Sequence, residues 1–124
     1  VVISEVGFKD AQRSDALAPE HWISFIEEDL AAGAHLVTTE ARESGQSGIC
    51  RSDGEPRHEL VGEIVGSGID LDRLLFEAPT KALQTYFLRR IGPLANLANV
   101  RADDVIALET LRRGLRSDTL PVRL

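Results

Sequence analysis

The chain has 124 residues, a mass of 13.6 kDa and 43% hydrophobic residues, which suffices for one modest core but not for two domains. A net charge of −6 argues against a general binder of nucleic acid or of anionic membranes, and no apolar run approaches the roughly 20 residues of a membrane helix. Because the single cysteine cannot form an internal disulfide, we expect a reducing, cytoplasmic location.

Strand-like apolar runs alternate with helical segments from the start of the chain. The β-branched run Val1–Phe8 predicts a buried strand, and a polar loop leads from it to the next element. Apolar residues at helical spacing predict a helix over Pro19–Ala32, with the proline in the first turn and Gly33 as the stop. The run His35–Ala41 then predicts a second strand.

The pattern repeats in the middle of the chain. A loop rich in Gly and Ser follows the second strand, and a helix is predicted over about Arg57–Val65. A third strand over Arg73–Pro79 ends at a proline. Thr80 can cap the next helix, which is predicted over Lys81–Ile91.

The last unit has the weakest strand signal. Its strand is predicted over Leu94–Val100, although asparagine disfavours strands. A final helix is predicted over Ala102–Leu115. We expect its packed apolar residues to be Val105, Ile106, Leu108, Leu111 and Leu115.

Four strand–helix units predict a parallel α/β sheet with the architecture of half an eight-unit (β/α)8 barrel. A flavodoxin-like open sheet competes with this interpretation. It usually has a Gly-rich phosphate turn after the first strand, and the turn over residues 7–10 does not fit that fingerprint. The half-barrel is therefore favoured. The chain has no methionine and begins inside a strand pattern, so we expect it to be a piece of a longer polypeptide.

Carboxylates stand at or near the ends of three predicted strands. Glu40 and Glu77 close the second and third strands, and Glu5 lies near the end of the first. The carboxyl ends of parallel strands meet at one edge, where barrel enzymes carry their chemistry. A single carboxylate there is more often an ion-pair partner, whereas several converging ones favour a hard cation such as Mg²⁺. The pattern alone leaves both interpretations open.

Four further polar side chains follow strand ends. Lys9 lies just beyond the first strand and Lys81 just beyond the third, and each is either a solvated charge or a proton donor or anion contact. Arg42 and Ser44 lie in the loop after the second strand. That loop can cradle an anion or can form a surface turn with a local ion pair.

The last strand and last helix carry amide and guanidinium groups. If the four units are the final four of a barrel, Asn96 and Asn99 lie where phosphate sites commonly form. Arg112, near the end of the last helix, suits the helix dipole or a subunit contact. The three histidines lack the spacing of metal ligands, and Cys50 has no paired base, so no role in catalysis is expected for them.

Several ordered motifs make the chain resemble the phosphosulfolactate synthase family nearly end to end. They are Glu5-Val6-Gly7-x-Lys9, Asp29-Leu30-x-Ala32-Gly33-Ala34, Glu40-Ala41-Arg42-Glu43-Ser44-Gly45, Phe76-Glu77-Ala78-Pro79, Asn96-Leu97-Ala98-Asn99 and the run from Leu108 to Thr119. The resemblance implies a TIM barrel in which residues 1–124 form the C-terminal half of a single domain, with the last four βα units. One departure is Phe8, which stands where family members commonly have lysine.

The resemblance also implies an activity. Family members are carbon–sulfur lyases that add sulfite to phosphoenolpyruvate with Mg²⁺, giving (2R)-3-phosphosulfolactate for coenzyme M or sulfolactate synthesis. By this resemblance Lys9 is the proton donor and Glu40 and Glu77, with Glu5, are metal ligands or their neighbours. Arg42 and Ser44 would contact sulfite or another substrate anion.

Two other functions stay open at this point. One is a different Mg²⁺-dependent enzyme that acts on a phosphorylated enol or carboxylate. The other is a family relative without synthase activity, which serves in stress or as an interaction protein. In each case we expect the half-barrel to pair with a missing N-terminal half or with another copy, and the isolated fragment to have little or no activity.

Overall fold

A computed structural model describes residues 1–8, 10–42, 45 and 48–120 of the chain. In this part, four strand–helix units follow one another as the sequence predicts, but the segment after the first strand, which was predicted to be a loop, contains an additional short helix. The elements are β1 (Ile3–Val6), α1 (Ala11–Asp15), α2 (Pro19–Ala31), β2 (Leu36–Thr39), α3 (His58–Gly66), β3 (Leu74–Glu77), α4 (Lys81–Ile91), β4 (Leu97–Ala98) and α5 (Val105–Arg112). Short 3₁₀ turns precede β3 and α5.

The four strands form one parallel sheet in the order β1-β2-β3-β4. Glu5 pairs in register with Thr38, and Glu77 pairs with Ala98. Because each strand neighbours the next one along the chain, all four carboxyl ends lie at one edge, which we call the rim. A mixed α/β architecture with this sheet is confirmed and is consistent with half of a barrel.

The two faces of the sheet differ. Side chains alternate along a strand, and Val6, Val37 and Phe76 point to the face that the helices cover. Trp22 of α2 and Phe87 of α4 are fully buried in this core. The intervening residues, which include Ile3, Glu5, Thr38, Leu75 and Glu77, point to the other face. The carboxylates of the strands therefore lie opposite the apolar core.

All four strands are shorter than predicted, and β4 and α5 differ most from their predicted extents. Strand β4 has two residues instead of the seven of Leu94–Val100, and Asn99 directly after it has a φ of 54° that ends the extended backbone. In α5, Leu108 and Leu111 are buried as predicted. The expectation that Val105, Ile106 and Leu115 also pack was wrong, since these side chains are 54%, 82% and 69% exposed. Helical spacing identifies the apolar side of a helix but does not show how many of its side chains are buried.

The predicted helix boundaries hold closely in two places. Thr80 caps α4, because its side-chain oxygen accepts a hydrogen bond from the backbone N–H of Leu83 at 3.2 Å. Gly33, with a φ of 108°, follows the end of α2. Among the described helices, none has both the length and the apolar character needed to cross a membrane.

Candidate metal and anion site

Glu5, Glu40 and Glu77 meet at the rim. Each offers a carboxylate oxygen, and these oxygens all lie within 4.8 Å of one another. Strand register explains the meeting, because Glu5 pairs with Thr38 on the same face, two residues before Glu40, and Glu77 lies on the neighbouring strand. We call these three residues the carboxylate cluster. Its convergence is what the strand-end pattern predicted.

The backbone just after β2 orients two of these carboxylates. The N–H of Ala41 donates to Oε2 of Glu77 at 2.8 Å, and the N–H of Arg42 donates to Oε1 of Glu40 at 3.2 Å. The N–H of Glu40 itself donates to the carbonyl of Val6 at 2.9 Å, which ties this corner to the end of β1. The cluster is therefore held by main-chain donors and not only by side-chain packing.

The cluster is a strongly negative environment. Burial, the side-chain hydrogen bond with Glu5 and the charges of Glu77 and Glu5 together raise the pKa of Glu40 to about 7, and burial has the largest effect, while the N–H of Arg42 acts to lower it. Glu40 is only 2% exposed, whereas Glu5 lies open to solvent. A cation bound among the three oxygens would relieve their mutual repulsion.

The donor set fits Mg²⁺. This ion prefers hard oxygen ligands and is commonly held by one or two carboxylates together with water and substrate oxygens. The cluster offers three carboxylates from three separate strands, and Glu5 is reachable from solvent. Among the described residues, no histidine or cysteine belongs to this group of possible metal ligands. The chemistry of the donors thus favours a hard divalent cation over zinc or copper.

The predicted proton donor and one predicted anion contact, Lys9 and Ser44, lie outside the described residues. Arg42, the other residue predicted to contact an anion, is exposed directly after β2. Its φ of 42° is uncommon for a residue with a side chain. The structure therefore places Arg42 next to the carboxylate cluster, on a backbone that is locally strained.

The remaining predicted contacts are split between the two edges of the sheet. Lys81 begins α4 on the rim side, and its ammonium lies 3.1 Å from the carboxylate of Asp118. A hydrogen bond from Lys81 lowers the pKa of Asp118. Asn99 follows β4 at the rim and is exposed, whereas Asn96 precedes β4 and donates to the carbonyl of Asp72 at 3.1 Å. Asn96 thus lies at the amino-terminal edge, away from the cluster.

Histidine and cysteine have no part in this site in the described structure. Cys50 is fully buried, and burial raises the pKa of its thiol to about 12, which keeps the thiol protonated. His35 accepts a hydrogen bond from the N–H of Val2 at 3.2 Å, and His58 makes an edge-on contact with Tyr86. These contacts agree with the structural roles expected for the histidines.

Sequence reasoning missed two contributors to the site. The backbone donor of Ala41 leaves no signal in the sequence, because every residue except proline carries an N–H group. Gly48 lies in a loop that was predicted from its composition, but its contact with Glu40 depends on how the loop folds back. A glycine in a Gly- and Ser-rich loop is too common a signal to single out.

Comparisons with known proteins agree with the motifs. The model of the (2R)-phospho-3-sulfolactate synthase family matches residues 1–118. The chain is 56% identical over 119 residues to the phosphosulfolactate synthase of Bacillus subtilis and 45% identical over 121 residues to that of Methanothermobacter thermautotrophicus. The matches cover 96% and 97% of this chain but 47% and 46% of those proteins. The chain spans about half the length of the curated relatives it matches.

Proposed function

The chain belongs to the (2R)-phospho-3-sulfolactate synthase family, and from this premise we propose that it acts in the Mg²⁺-dependent addition of sulfite to phosphoenolpyruvate. The product would be (2R)-3-phosphosulfolactate, a precursor for coenzyme M or sulfolactate, which makes the enzyme a carbon–sulfur lyase. The observation that carries this proposal is the convergence of three carboxylate oxygens at the rim of a parallel sheet.

Glu40 and Glu77 are the residues that would hold Mg²⁺, with Glu5 as a third ligand or as a partner through water. When bound, Mg²⁺ supplies a Lewis acid for the negative charge that develops on the substrate's carboxylate. The N–H groups of Ala41 and Arg42 keep the two carboxylates in place, at 2.8 and 3.2 Å from their oxygens. Such fixed donors require no reorganisation during the reaction.

The reaction forms two new bonds to carbon, a C–S bond with sulfite and a C–H bond with a proton. The sulfur lone pair of sulfite forms a bond to the methylene carbon, and the π electrons of the alkene move towards the carboxylate. Lys9 then gives a proton to the carbon that bears the phosphate ester, and solvent restores the lysine. Arg42 and Ser44 would hold sulfite, and Lys81 and Asn99 would lie nearest the phosphate.

The charge of Lys81 is engaged by a neighbouring carboxylate. The ammonium of Lys81 already pairs with Asp118 at 3.1 Å, although both side chains are partly exposed. A phosphate would have to compete with that ion pair, whose strength at such an exposed site is small. The same reasoning gives Asn96 no direct contact, because its amide is used at the other edge.

We propose that the rim is completed by a second half-barrel, either an N-terminal half of the same protein or another copy of this chain. Strand β1 and strand β4 are the outer strands of the sheet. Apolar side chains in β1 and shortly before β4 are exposed, with Ile3 at 54% and Leu94 at 76%. Pairing at both edges would bury them. Residues 1–124 alone would then have little or no activity.

The deciding experiment incubates the full-length protein with sulfite, phosphoenolpyruvate and Mg²⁺ and measures phosphosulfolactate by mass spectrometry. We expect product that depends on all three additions and disappears with a chelator. Lys9→Ala should lower turnover by about 10²- to 10⁴-fold, the usual contribution of a general acid. Unchanged turnover in Lys9→Ala would remove Lys9 from the mechanism. No product together with no Mg²⁺ binding would favour a non-catalytic relative.

A further inference from the structure

Two glycines from different segments lie directly against Glu40. Gly7 follows β1 and has a φ of 114°, and Gly48 lies in the loop after β2 with a φ of 67°. A Cβ atom at Gly7 would lie 2.9 Å from the Cβ of Glu40 and 2.6 Å from Cη2 of Trp22. Real Cβ atoms do not approach other heavy atoms so closely, so either Glu40 or the indole would have to move.

The contact of Gly48 is with the backbone of Glu40. A Cβ atom there would overlap the carbonyl oxygen of Glu40 and would lie 3.1 Å from its Cγ. The next residue, Ile49, donates its N–H to the same carbonyl at 2.6 Å. Gly48 therefore allows the loop to close onto the Glu40 peptide and make this hydrogen bond.

We propose that Gly7 and Gly48 are positioning residues that clamp Glu40 between the end of β1 and the loop after β2. The clamp fixes the Glu40–Ala41 peptide, whose N–H donates to the carboxylate of Glu77, and with it the start of the next peptide, whose N–H donates to the carboxylate of Glu40. The expected effect on Mg²⁺ affinity rests on the proposed function. The clamp itself is a statement about geometry.

Two other glycines of the chain serve as controls, which distinguish contact with Glu40 from backbone strain. Gly33 has a φ of 108°, close to that of Gly7, and Gly68 has a φ of 88°, near that of Gly48. A Cβ atom on either control would meet nothing within 4 Å. Gly33→Ala and Gly68→Ala therefore impose the same kind of backbone cost without touching Glu40.

The experiment compares Gly7→Ala with Gly33→Ala and Gly48→Ala with Gly68→Ala in the full-length protein. Amide hydrogen exchange is followed at Ala41, Arg42 and Ile49, and Mg²⁺ binding is measured by calorimetry. We expect faster exchange at these amides and an affinity for Mg²⁺ about 10- to 100-fold weaker in the two clamp variants, as for the loss of other groups that orient metal ligands. The two control variants should keep both properties.

The Gly48 pair tests the contact with Glu40 alone, whereas Gly7→Ala also meets Trp22. If Gly48→Ala does not fold, a Gly7→Ala variant that weakens Mg²⁺ binding no more than Gly33→Ala does would overturn the proposal. Equal changes within a pair would show that strain, and not contact with Glu40, is responsible, and the proposal would be overturned. Unchanged exchange in both clamp variants would overturn it as well. If the unsubstituted protein binds no Mg²⁺, the proposed function loses its metal, while the exchange comparison still decides on the clamp.

Discussion

At the amino-terminal edge of the sheet, polar side chains donate to backbone carbonyls, whereas at the rim three carboxylates are brought together. Arg73 donates to the carbonyls of Ala34 and His35 before β2, and Asn96 donates to Asp72 before β3. Arg112 donates to the carbonyls of Pro93 and Ala95 before β4, at 2.8 and 2.7 Å. Each loop that enters a strand is thus tied to a later segment of the chain.

The contrast shows that one edge of a sheet can contribute to stability while the opposite edge carries the candidate site. The donors at the amino-terminal edge satisfy carbonyls that would otherwise lose hydrogen bonds on burial. The carboxylate cluster does the opposite, since burial and, to a smaller extent, the neighbouring carboxylates raise the pKa of Glu40 to about 7. Substitutions at the amino-terminal edge should therefore affect stability alone, whereas those at the rim should also affect Mg²⁺ binding or turnover, and the following predictions test that difference.

The largest effect is expected from Glu40→Gln. This change keeps the shape and the acceptor for the Arg42 N–H but removes the charge, so the affinity for Mg²⁺ should fall by more than about 100-fold. Calorimetric titration of the full-length protein would measure it. Glu63→Gln, which changes a carboxylate on α3, is the matched control and should bind Mg²⁺ as before. Equal affinities in Glu40→Gln and the unsubstituted protein would exclude Glu40 as a ligand.

The second prediction concerns the stability of the metal-free protein against pH. The pKa of Glu40 is about 7 in the folded state against an ordinary value of 4.5, so the folded state holds the proton more tightly. Its contribution to stability is then fully present below about pH 4.5 and is lost as the pH rises through about 7. The free energy of unfolding should therefore fall over this interval.

Urea unfolding at about pH 5 and about pH 8 would measure that loss, and Glu40→Gln should reduce it because the titrating group is gone. Saturating Mg²⁺ should restore stability at the higher pH, since binding to the folded state adds to its stability. A pH profile that is the same in both proteins would show that neither burial nor the neighbouring carboxylates make Glu40 hold its proton more tightly in the folded state.

How far the sequence could predict this arrangement depends on the kind of signal. The strand-end positions of Glu5, Glu40 and Glu77 were enough to predict their convergence, because strand order and the side-chain period of two determine it. The exposure of Ile106 was not predictable, because helical spacing does not tell whether a partner covers the outer part of an apolar stripe.

Arg112 shows a contact that the sequence did not indicate. Its position suggested a role with the helix dipole or in a subunit contact, and it does lie in the last turn of α5, but it also donates to two carbonyls of a loop that lies 17 and 19 residues earlier. Which carbonyls need a donor depends on tertiary packing and not on local sequence. The amino-terminal edge was therefore harder to predict than the rim, although it contains the simpler chemistry.

The third prediction tests the amino-terminal edge directly. Arg112→Met keeps most of the side chain's apolar length but leaves the carbonyls of Pro93 and Ala95 without this donor. We expect a loss of about 2 kcal/mol in the free energy of unfolding, the cost of such unsatisfied acceptors. Arg113→Met, one residue later, removes only an exposed pair with Glu109 and should cost far less. Mg²⁺ affinity should stay unchanged in both variants.

The smallest effect is expected from Arg42→Gly at the rim, and its direction is opposite. Arg42 has a φ of 42°, a conformation that glycine adopts without the steric cost borne by other residues. The variant should gain up to about 1 kcal/mol in the free energy of unfolding, while turnover of sulfite and phosphoenolpyruvate falls. Asn99→Gly, at a φ of 54°, is the control for stability and should gain less, because asparagine tolerates this backbone better. A less stable Arg42→Gly variant with full turnover would mean that the guanidinium stabilises the fold and does not serve the substrate.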